Sequence, residues 1–395
     1  MRKLLAFAAL SLSLASPAAP ALAQVPCGGS FSAFVAAMKQ EAVRKGFAPA
    51  TVDAFFKSVR QDQATLRADR AQGIFNKSFL DFSRALISGY RLENGRANIG
   101  KYGSIFDVID RKYGVNRGVL TAFWAFETDF GAFQGDFNTL NSLMTLSHDC
   151  RRPELFQPQV FAALKLYERG DFSPTETKGA WAGEIGMVQM LPEDILVNGV
   201  DGDGDGHVDL KGSKADALMS GAKMLSALGW KAGQPWLQEV IVPTDFDWSK
   251  TGLHTMLKVS DWQRMGVRAR SGSFQGPNLR ASLVLPQGHK GPAFIAYPNY
   301  HTLFEWNQSF IYVTTAAYFA TRLVGAPVYN AGNPDPALSQ AQMKELQRKL
   351  QARGHDVGKI DGIWGAKTRI AVQKEQARLG LPADGWPTRA LLARL

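Results

Sequence analysis

The chain has 395 residues, of which 45% are hydrophobic and 20% are charged, as expected for a folded protein of two or three domains. This composition excludes a largely disordered chain, a collagen-like chain and a small disulfide scaffold. The 45 Lys and Arg exceed the 35 Asp and Glu, and the formal net charge of +10 favours acidic partners such as nucleic acid, anionic lipid or a carboxylate-rich polymer. Two cysteines and six scattered histidines without an HExxH motif argue against a zinc enzyme.

The N-terminus has the pattern of a secretory signal peptide over residues 1–23. Arg2 and Lys3 precede an apolar run, and small residues ending in Ala21-Leu22-Ala23 supply a cleavage site. The alternative is a membrane anchor, but the apolar run is short for a span of about 20 residues. No cysteine directly follows the cleavage site, which argues against a lipoprotein, and no later segment is long and apolar enough to cross a bilayer. We therefore expect an exported protein without a membrane span.

Export bears on the two cysteines of the chain, Cys27 and Cys150. An isolated pair in an oxidising compartment tends to form a disulfide, and two unconnected thiols are the alternative. In the chain-entropy model, closing so long a loop stabilises the fold by about 4–5 kcal/mol, which is an upper figure. The sequence therefore predicts a bond between Cys27 and Cys150.

Most of the chain has apolar residues at helical spacing, and one region has the pattern of short strands. Apolar residues recur at helical spacing in five regions, and a Tyr113-Gly114-Val115 break divides the second of them into two helices. The regions are 30–60, 104–126, 158–168, 214–228 and 309–324. Between 237 and 300, short β-branched and aromatic runs alternate with Gly and Pro, which predicts a small strand-containing insert.

Residues 326–336 are rich in Pro and Gly and predict a linker between a domain over 24–325 and a compact unit over 337–395. In that unit we predict one helix around Leu346 and a second from about Gly365 to Leu379. Its two Asp-Gly turns and the segment DGIWGAKT, followed by AVQ and GL, resemble the peptidoglycan-binding module of many cell-wall enzymes. The resemblance implies a small three-helix binding domain, and the alternative is an unrelated helical hairpin.

One carboxyl group lies in a strongly apolar helical segment, VLTAFWAFETDFG. On a helix, Phe123, Trp124 and Phe130 lie one turn away from Glu127 and surround its side chain. Apolar surroundings disfavour the charged form and raise the pKa of a carboxyl group. A carboxyl that stays protonated near neutral pH can donate a proton to a glycosidic oxygen. The alternative, favoured if this segment is taken alone, is a glutamate that simply reaches the surface at a helix end.

Further motifs resemble the lytic murein transglycosylase B family over most of residues 31–325. They are NTLNSLMTLSHDCRRPELF, GAWAGEIGMVQMLP, VDGDGDGHVDL and YPNYHTLFEWNQSFIY, in this order along the chain. The resemblance implies a mainly α (α+β) fold, with a lysozyme-like helical catalytic domain that carries a small β-containing insert. It also implies cleavage of the MurNAc–GlcNAc β-1,4 bond of peptidoglycan without water, which leaves a 1,6-anhydromuramic end. No cofactor is expected for this catalysis.

The resemblance also assigns roles to individual residues. It makes Glu127 the single catalytic acid and then the base, whereas ordinary glycosidases use two carboxylates. It implies that Gln189 orients the muramic sugar or its acetamido group. The element that includes Trp306, Asn307 and Tyr312 would line the cleft, where aromatic rings stack on sugars and the amide binds polar substituents.

Three other positions leave alternatives open. Arg151 and Arg152 match a basic pair that faces the stem peptide, since guanidinium groups suit peptide carboxylates. A solvated helix start is the alternative for this pair. Ala180 stands where the family usually has a serine that helps to position the catalytic carboxyl. Glu184 stands where a small residue is usual, and it is expected either to be exposed or to steer a water molecule.

The segment VDGDGDGHVDL has the spacing of an EF-hand-like calcium loop. Asp201, Asp203 and Asp205 occupy ligand positions 1, 3 and 5, and His207 offers its carbonyl. The usual glutamate at position 12 is absent, and Asp216 is the expected replacement, because the family closes this loop later. A structural calcium ion is therefore predicted, with a metal-free acidic turn as the alternative.

Together, the sequence predicts a periplasmic lytic transglycosylase that acts as a monomer and binds the wall through its C-terminal module. Peptidoglycan strands and stem peptides are the expected partners, and other cell-wall enzymes are further candidates. A muramidase that uses water on the same scaffold is the first alternative, and a catalytically silent wall-binding protein is the second. Nucleic acid is not an expected partner, because no basic run with interleaved aromatic residues is present.

Overall fold

The computed structural model describes residues 25–71 and 77–395, and the predicted signal peptide lies outside this part of the chain. The described residues form seventeen α-helices. These are α1 (Phe31–Arg44), α2 (Pro49–Phe56), α3 (Gln63–Arg70), α4 (Phe79–Leu86), α5 (Gly89–Lys101), α6 (Gly103–Tyr113), α7 (Arg117–Thr128), α8 (Thr139–His148), α9 (Pro153–Glu168), α10 (Pro192–Asn198), α11 (Lys214–Ala227), α12 (Val259–Arg264), α13 (Pro298–Trp306), α14 (Phe310–Leu323), α15 (Gln340–Ala352), α16 (Ala366–Arg378) and α17 (Arg389–Arg394).

The strands are short and form two antiparallel sheets. They are β1 (Phe137–Asn138), β2 (Lys178–Gly179), β3 (Leu237–Ile241), β4 (Leu257–Lys258), β5 (Arg268–Ala269), β6 (Arg280–Val284) and β7 (Ala293–Ala296). Strands β1 and β2 pair with each other, and the other five form a sheet in the order β4-β6-β7-β3-β5. This sheet and α12 enclose their own apolar core, which confirms the predicted strand-containing insert.

The predicted helices are present, and their ends follow local chemistry. Gly114 ends α6 in the left-handed conformation, and a Cβ there would lie 2.3 Å from the Cβ of Ala232, so glycine is required. Asn116 then caps α7 by accepting a hydrogen bond from the N–H of Gly118. The helix predicted from residue 158 begins earlier, at Pro153, because proline is well suited to the first helical position.

The C-terminal unit is a small domain with a core of its own, built from α15, α16 and α17. It packs against the larger domain. The side-chain amide of Gln373 donates to the carbonyl of Thr251 at 3.1 Å, and the backbone N–H of His289 donates to Asp384 at 2.9 Å. The observed three helices agree with the three-helix domain that the resemblance implied.

The predicted linker, residues 326–336, has no helix or strand and lies along the larger domain. Tyr329 is buried and its hydroxyl is 2.8 Å from that of Ser83 on α4. Further along, the ammonium group of Lys290 pairs with Asp335 at 2.9 Å. The segment is therefore fixed to the surface that it crosses.

Candidate active site

The candidate acid, Glu127, lies in the last turn of α7. This helix is apolar on nearly all sides, since nine of its twelve residues are buried, and it packs closely against α14. Asp129 follows in the left-handed conformation and ends the helix. The side chain of Glu127 is half-buried, and it does not point into bulk solvent.

Aromatic residues from two distant segments complete the surroundings of Glu127. The hydroxyl of Tyr312, on α14, donates a hydrogen bond to Oε1 of Glu127. The ring of Phe123 stacks on Trp306, with ring centroids 4.8 Å apart. Trp124 and Phe130 meet edge to face at 5.5 Å, as adjacent turns of the segment allow. The structure thus brings Trp306 and Tyr312 to the carboxyl of Glu127, whereas the sequence had predicted only that they line the cleft.

Burial raises the pKa of Glu127 from its usual 4.5 to about 7. Hydrogen bonding from Tyr312 and Trp306 lowers this pKa, and the negative charge of Glu184 raises it. Burial and the neighbouring carboxylate also raise the pKa of Tyr312, so its hydroxyl keeps its proton and remains a donor. The site therefore holds a protonated carboxyl at or slightly below neutral pH, which is the state that a general acid needs.

The backbone around the carboxyl is strained at three places. Asp129, Phe130 and Gln189 have positive φ angles, which are rare for residues other than glycine. Such conformations cost about 1–3 kcal/mol each and cluster at functional sites. The hydroxyl of Thr128 donates to the carbonyl of Met187 at 2.7 Å, which connects the end of α7 to the segment that bears Gln189.

Gln189 is held in place by its own neighbours. Its side-chain amide donates to the carbonyl of Gly186 at 2.8 Å and to that of Gln134 at 3.3 Å. A backbone bridge between Ile185 and Met190 closes the turn that carries it. The side chain is half-buried at the rim of the site, and its predicted role toward the sugar stays a prediction.

Asn307 ends α13 directly after Trp306. Its side-chain oxygen accepts a hydrogen bond from the N–H of Ser309 at 2.9 Å, which forms the turn into α14. Asn307 therefore shapes the segment between Trp306 and Tyr312, and it is half-buried. Its predicted contact with the substrate stays a prediction.

Glu184 is half-buried, and this corrects the expectation that it is an exposed residue. Its Oε2 atom is buried and has no hydrogen-bond partner among the described residues. Burial raises the pKa of Glu184, while the charge of Arg152 lowers it. Ala180 begins the turn that leads to Glu184, and its carbonyl accepts a hydrogen bond from the backbone N–H of Gly183 at 3.1 Å. Ala180 has no hydroxyl to offer, and the described hydroxyl donor to the carboxyl of Glu127 is that of Tyr312.

Arg151 and Arg152 converge on one carboxylate that the sequence did not reveal. Both guanidinium groups donate to Oδ1 of Asp69, at 2.5 and 2.6 Å. Asp69 lies on α3 and its side chain is 1% exposed, whereas those of Arg151 and Arg152 are 46% and 35% exposed. No motif marked Asp69, because an ion pair across 82 residues leaves no local pattern. The pair can still reach a ligand from its exposed side.

The acidic loop brings three of the predicted metal ligands together. Carboxylate oxygens of Asp201, Asp203 and Asp205 lie within 4.8 Å of one another, and all three residues are exposed. Asp216 is buried and accepts hydrogen bonds from the backbone N–H groups of Gly202 and Asp209 at 2.9 and 2.8 Å. It therefore ties the two ends of the loop together.

The structure contains the predicted disulfide. Cys27 and Cys150 are bonded, with their Cα atoms 5.3 Å apart, and no free cysteine is present. The bond joins the start of the described chain to the segment before Arg151 and Arg152. His148 reinforces this junction, since its carbonyl accepts a hydrogen bond from Gly28 at 2.9 Å.

Comparison with known families identifies both domains. A transglycosylase SLT domain model matches residues 30–321, and a peptidoglycan binding domain model matches residues 339–395. Membrane-bound lytic murein transglycosylase B of Escherichia coli K12 is 26% identical over 236 residues, which cover 59% of this chain and 64% of that protein. The chain thus spans slightly less than two thirds of that relative's length. Within the described residues, no helix combines the length and apolarity needed to cross a bilayer.

Solved structures agree with this assignment. SltB3 from Pseudomonas aeruginosa, in complex with NAG-anhNAM-pentapeptide, has a TM-score of 0.86 and 38% identity, covering 93% of this chain and 99% of that chain. SltB1 from the same organism has a TM-score of 0.66 and 23% identity, covering 73% of this chain and 98% of that one, and this likeness concerns the fold alone. These matches confirm the mainly helical, lysozyme-like fold with its C-terminal binding domain. Because one family model spans most of the chain and a relative of similar length shares its fold throughout, the protein belongs to the transglycosylase SLT domain family.

Proposed function

We propose that the protein is a peptidoglycan lytic transglycosylase that cleaves the MurNAc–GlcNAc β-1,4 bond. The observation that carries the proposal is the half-buried carboxyl of Glu127, whose pKa of about 7 is matched to proton transfer near neutrality. Family membership supports the same activity. The relative SltB3 has been solved with NAG-anhNAM-pentapeptide and with NAG-NAM-pentapeptide, which agrees with peptidoglycan as the substrate class.

In the proposed reaction, Glu127 acts twice. It first gives its proton to the glycosidic oxygen, so that the bond from C1 of the muramic sugar to this oxygen breaks and the leaving sugar gains a hydroxyl. The resulting carboxylate then removes the proton from the C6 hydroxyl of the same muramic sugar. The C6 oxygen attacks C1 and closes the 1,6-anhydro ring. Glu127 ends protonated, and no water is consumed.

The neighbouring residues serve this carboxyl and the sugar. Tyr312 donates to Oε1 of Glu127 and so fixes the orientation of the carboxyl that transfers the proton. Trp306, stacked on Phe123, offers a fixed aromatic surface for a sugar ring. We propose that the side-chain oxygen of Gln189 accepts a hydrogen bond from the muramic sugar or its acetamido group, because its amide N–H groups are engaged by Gly186 and Gln134. We propose that the side-chain amide of Asn307 donates to the substrate, and that Arg151 and Arg152 meet stem-peptide carboxylates from their exposed side.

A muramidase is the second candidate, because Glu184 places another carboxylate near Glu127 with one oxygen unpaired. In an inverting hydrolase, a second carboxylate activates water on the opposite face of the sugar. The products separate the two activities, since the transglycosylase leaves anhydro ends and the hydrolase leaves reducing ends. A catalytically silent wall-binding protein would release neither.

The test is mass spectrometry of the muropeptides that purified protein releases from sacculi. We expect anhydro ends, and their loss in a Glu127→Gln variant. Glu93→Gln is the matched control, because Glu93 is an exposed glutamate on α5. Reducing ends would establish the muramidase, and unchanged release by Glu127→Gln would refute the assignment of the acid.

We further propose the organisation that the sequence indicates. Residues 1–23 would be a cleaved signal peptide, 24–325 the catalytic domain, 326–336 the linker and 337–395 the wall-binding domain. The mature protein would then be periplasmic, not lipid-anchored and monomeric. N-terminal sequencing and native mass spectrometry of the protein purified from periplasm test these points, and a retained leader, a lipid adduct or a dimer would contradict them.

We also propose a structural calcium ion in the acidic loop. The oxygen donors of Asp201, Asp203 and Asp205 suit a hard cation, and the carbonyl of His207 would add a ligand. Asp216 was predicted as a further ligand, and its buried carboxylate would at least order the loop around the ion. Calcium should raise the melting temperature of the wild type and leave that of an Asp205→Ala variant unchanged. An equal response of both proteins would refute the site.

A further inference from the structure

A cavity of about 400 Å³ lies between the C-terminal domain and the catalytic domain. Its wall is mostly apolar and aromatic, and the principal side chains are Phe304, Phe310, Leu338, Ile363, Trp364 and Trp386. The volume is in the range of small-molecule and short-peptide sites. None of the residues assigned above to catalysis or to calcium lines it.

One cation in this wall, Arg369, forms no ion pair within the described residues, although the carboxylate of Asp384 lies close enough to raise its pKa. The guanidinium of Arg369 lies between two rings, with its central carbon 3.4 Å from the ring centre of Trp364 and 3.9 Å from that of Phe310. Its Nη2 atom is buried and has no hydrogen-bond partner among the described residues. Burial lowers the pKa of Arg369 to about 9, so the group is still cationic at neutral pH. An unpaired donor of this kind costs free energy that a bound anion would recover.

The rest of the cavity reinforces the positive potential. No Asp or Glu is present among its described lining residues, and Lys77 adds a second cation at the edge. Two helices begin at the cavity, α14 after Ser309 and α16 after Gly365, so the positive ends of their dipoles face it. Gly365 supplies no side-chain cap to α16. The site therefore combines an anion-binding edge with an apolar wall.

We propose that this interdomain cavity binds the carboxylate end of a peptidoglycan stem peptide, with the Arg369 guanidinium pairing with the terminal carboxylate. The choice of occupant rests on the proposed function. A glycan would need many hydrogen-bonding partners, which the apolar wall lacks, whereas alanine methyl groups fit such a wall and a terminal carboxylate fits the cation. A guanidinium can hold a carboxylate through two parallel hydrogen bonds, and the flanking rings fix its plane.

The cavity also adjoins α14, the helix that carries Tyr312. Phe310, which stacks on Arg369, lies two residues before Tyr312 on α14, and Tyr312 donates to Glu127. A peptide in the cavity would thus contact the first turn of the helix that positions the acid. The cavity would recognise a stem peptide while the cleft holds the glycan to which other stems are attached.

The test is calorimetric titration of the full chain with a short synthetic peptide ending in D-Ala-D-Ala, as the free acid and as the C-terminal amide. We expect the wild type to bind the acid at least about tenfold more tightly than the amide, since the amide cannot accept two charge-assisted hydrogen bonds. Arg369→Gln should lose this difference. Arg348→Gln is the matched control, because Arg348 is an exposed arginine of the same domain and should bind like the wild type.

Equal affinity for acid and amide, an unchanged Arg369→Gln variant, or no binding by the wild type would each overturn the proposal. The preference for the acid should persist in an Arg151→Gln, Arg152→Gln protein, which separates the cavity from that exposed pair even if Arg369→Gln fails to fold. If the protein releases anhydro ends but binds no peptide, the cavity proposal is refuted and the proposed activity is not. Protein that binds the peptide but releases no anhydro ends would leave the cavity assignment intact and refute the proposed activity.

Discussion

Replacing the candidate acid by Glu127→Gln should make the protein more stable at neutral pH while it abolishes activity. The carboxyl is half-buried in an aromatic setting, and burial raises its pKa from 4.5 to about 7. The folded protein therefore binds the proton more tightly than the unfolded chain does. Ionisation at higher pH then weakens the fold, and glutamine has no charge to lose.

The magnitude follows from the two pKa values. At about 1.4 kcal/mol per pH unit, moving the pKa from 4.5 to about 7 corresponds to roughly 3.5 kcal/mol of folding free energy. Below pH 4.5, Glu127 is protonated in both states and contributes no penalty. Between pH 4.5 and 7 the penalty grows, and above pH 7 it is complete. The stability gain of Glu127→Gln should follow the same course.

Urea denaturation of the wild type and of Glu127→Gln, each at several pH values from 4 to 8, measures this difference. The gain in unfolding free energy should be small at pH 4 and rise toward about 3.5 kcal/mol at pH 8. Glu93→Gln, at an exposed glutamate on α5, should show no comparable trend. A gain that is independent of pH, or a loss of stability at pH 8, would refute the idea that the carboxyl is held protonated by burial.

Two further changes test the neighbours of Glu127, and a third tests the disulfide. Tyr312→Phe removes a hydrogen bond that lowers the pKa of Glu127, so the alkaline limb of the rate profile should move to higher pH as the maximal rate falls; an unmoved limb would contradict the contact. Glu184→Gln removes a charge that raises the same pKa, so the limb should move to lower pH, and a shift in the other direction would refute the coupling. Cys27→Ser should lower the unfolding free energy by up to about 4–5 kcal/mol in urea denaturation, and an unchanged value would rule out loop closure as a source of stability.

The apolar surroundings of Glu127 could be predicted from the sequence because the residues that supply them are close to it along the chain. Phe123 and Trp124 lie within one helical turn of Glu127, so periodicity alone indicates an apolar environment. The residue that donates a hydrogen bond to Glu127 could not be predicted in this way. Tyr312 lies 185 residues away along the chain, and only the packing of α14 on α7 brings the two together. The family motif pointed to Tyr312 as a cleft residue, without saying that it touches the carboxyl.

The remaining contacts could not be predicted, because helical periodicity indicates which face is buried and not what covers it. Arg151 and Arg152 matched a ligand-facing motif, yet both pair with Asp69. Glu184 was recognised as a departure from the family pattern, while its burial depends on how the turn packs beneath the cleft. Arg369 had no motif to mark it, because its place between two rings arises where two domains meet.

The segment over residues 326–336 has a consequence for how the protein handles its substrate. A free tether would let the wall-binding domain sample a wide volume, and the local concentration of its ligand at the cleft would fall as the tether grew longer. Here Tyr329 and Asp335 anchor the segment to the catalytic domain. The distance between the surfaces of the two domains is then set by these packing contacts and not by the length of the connecting segment.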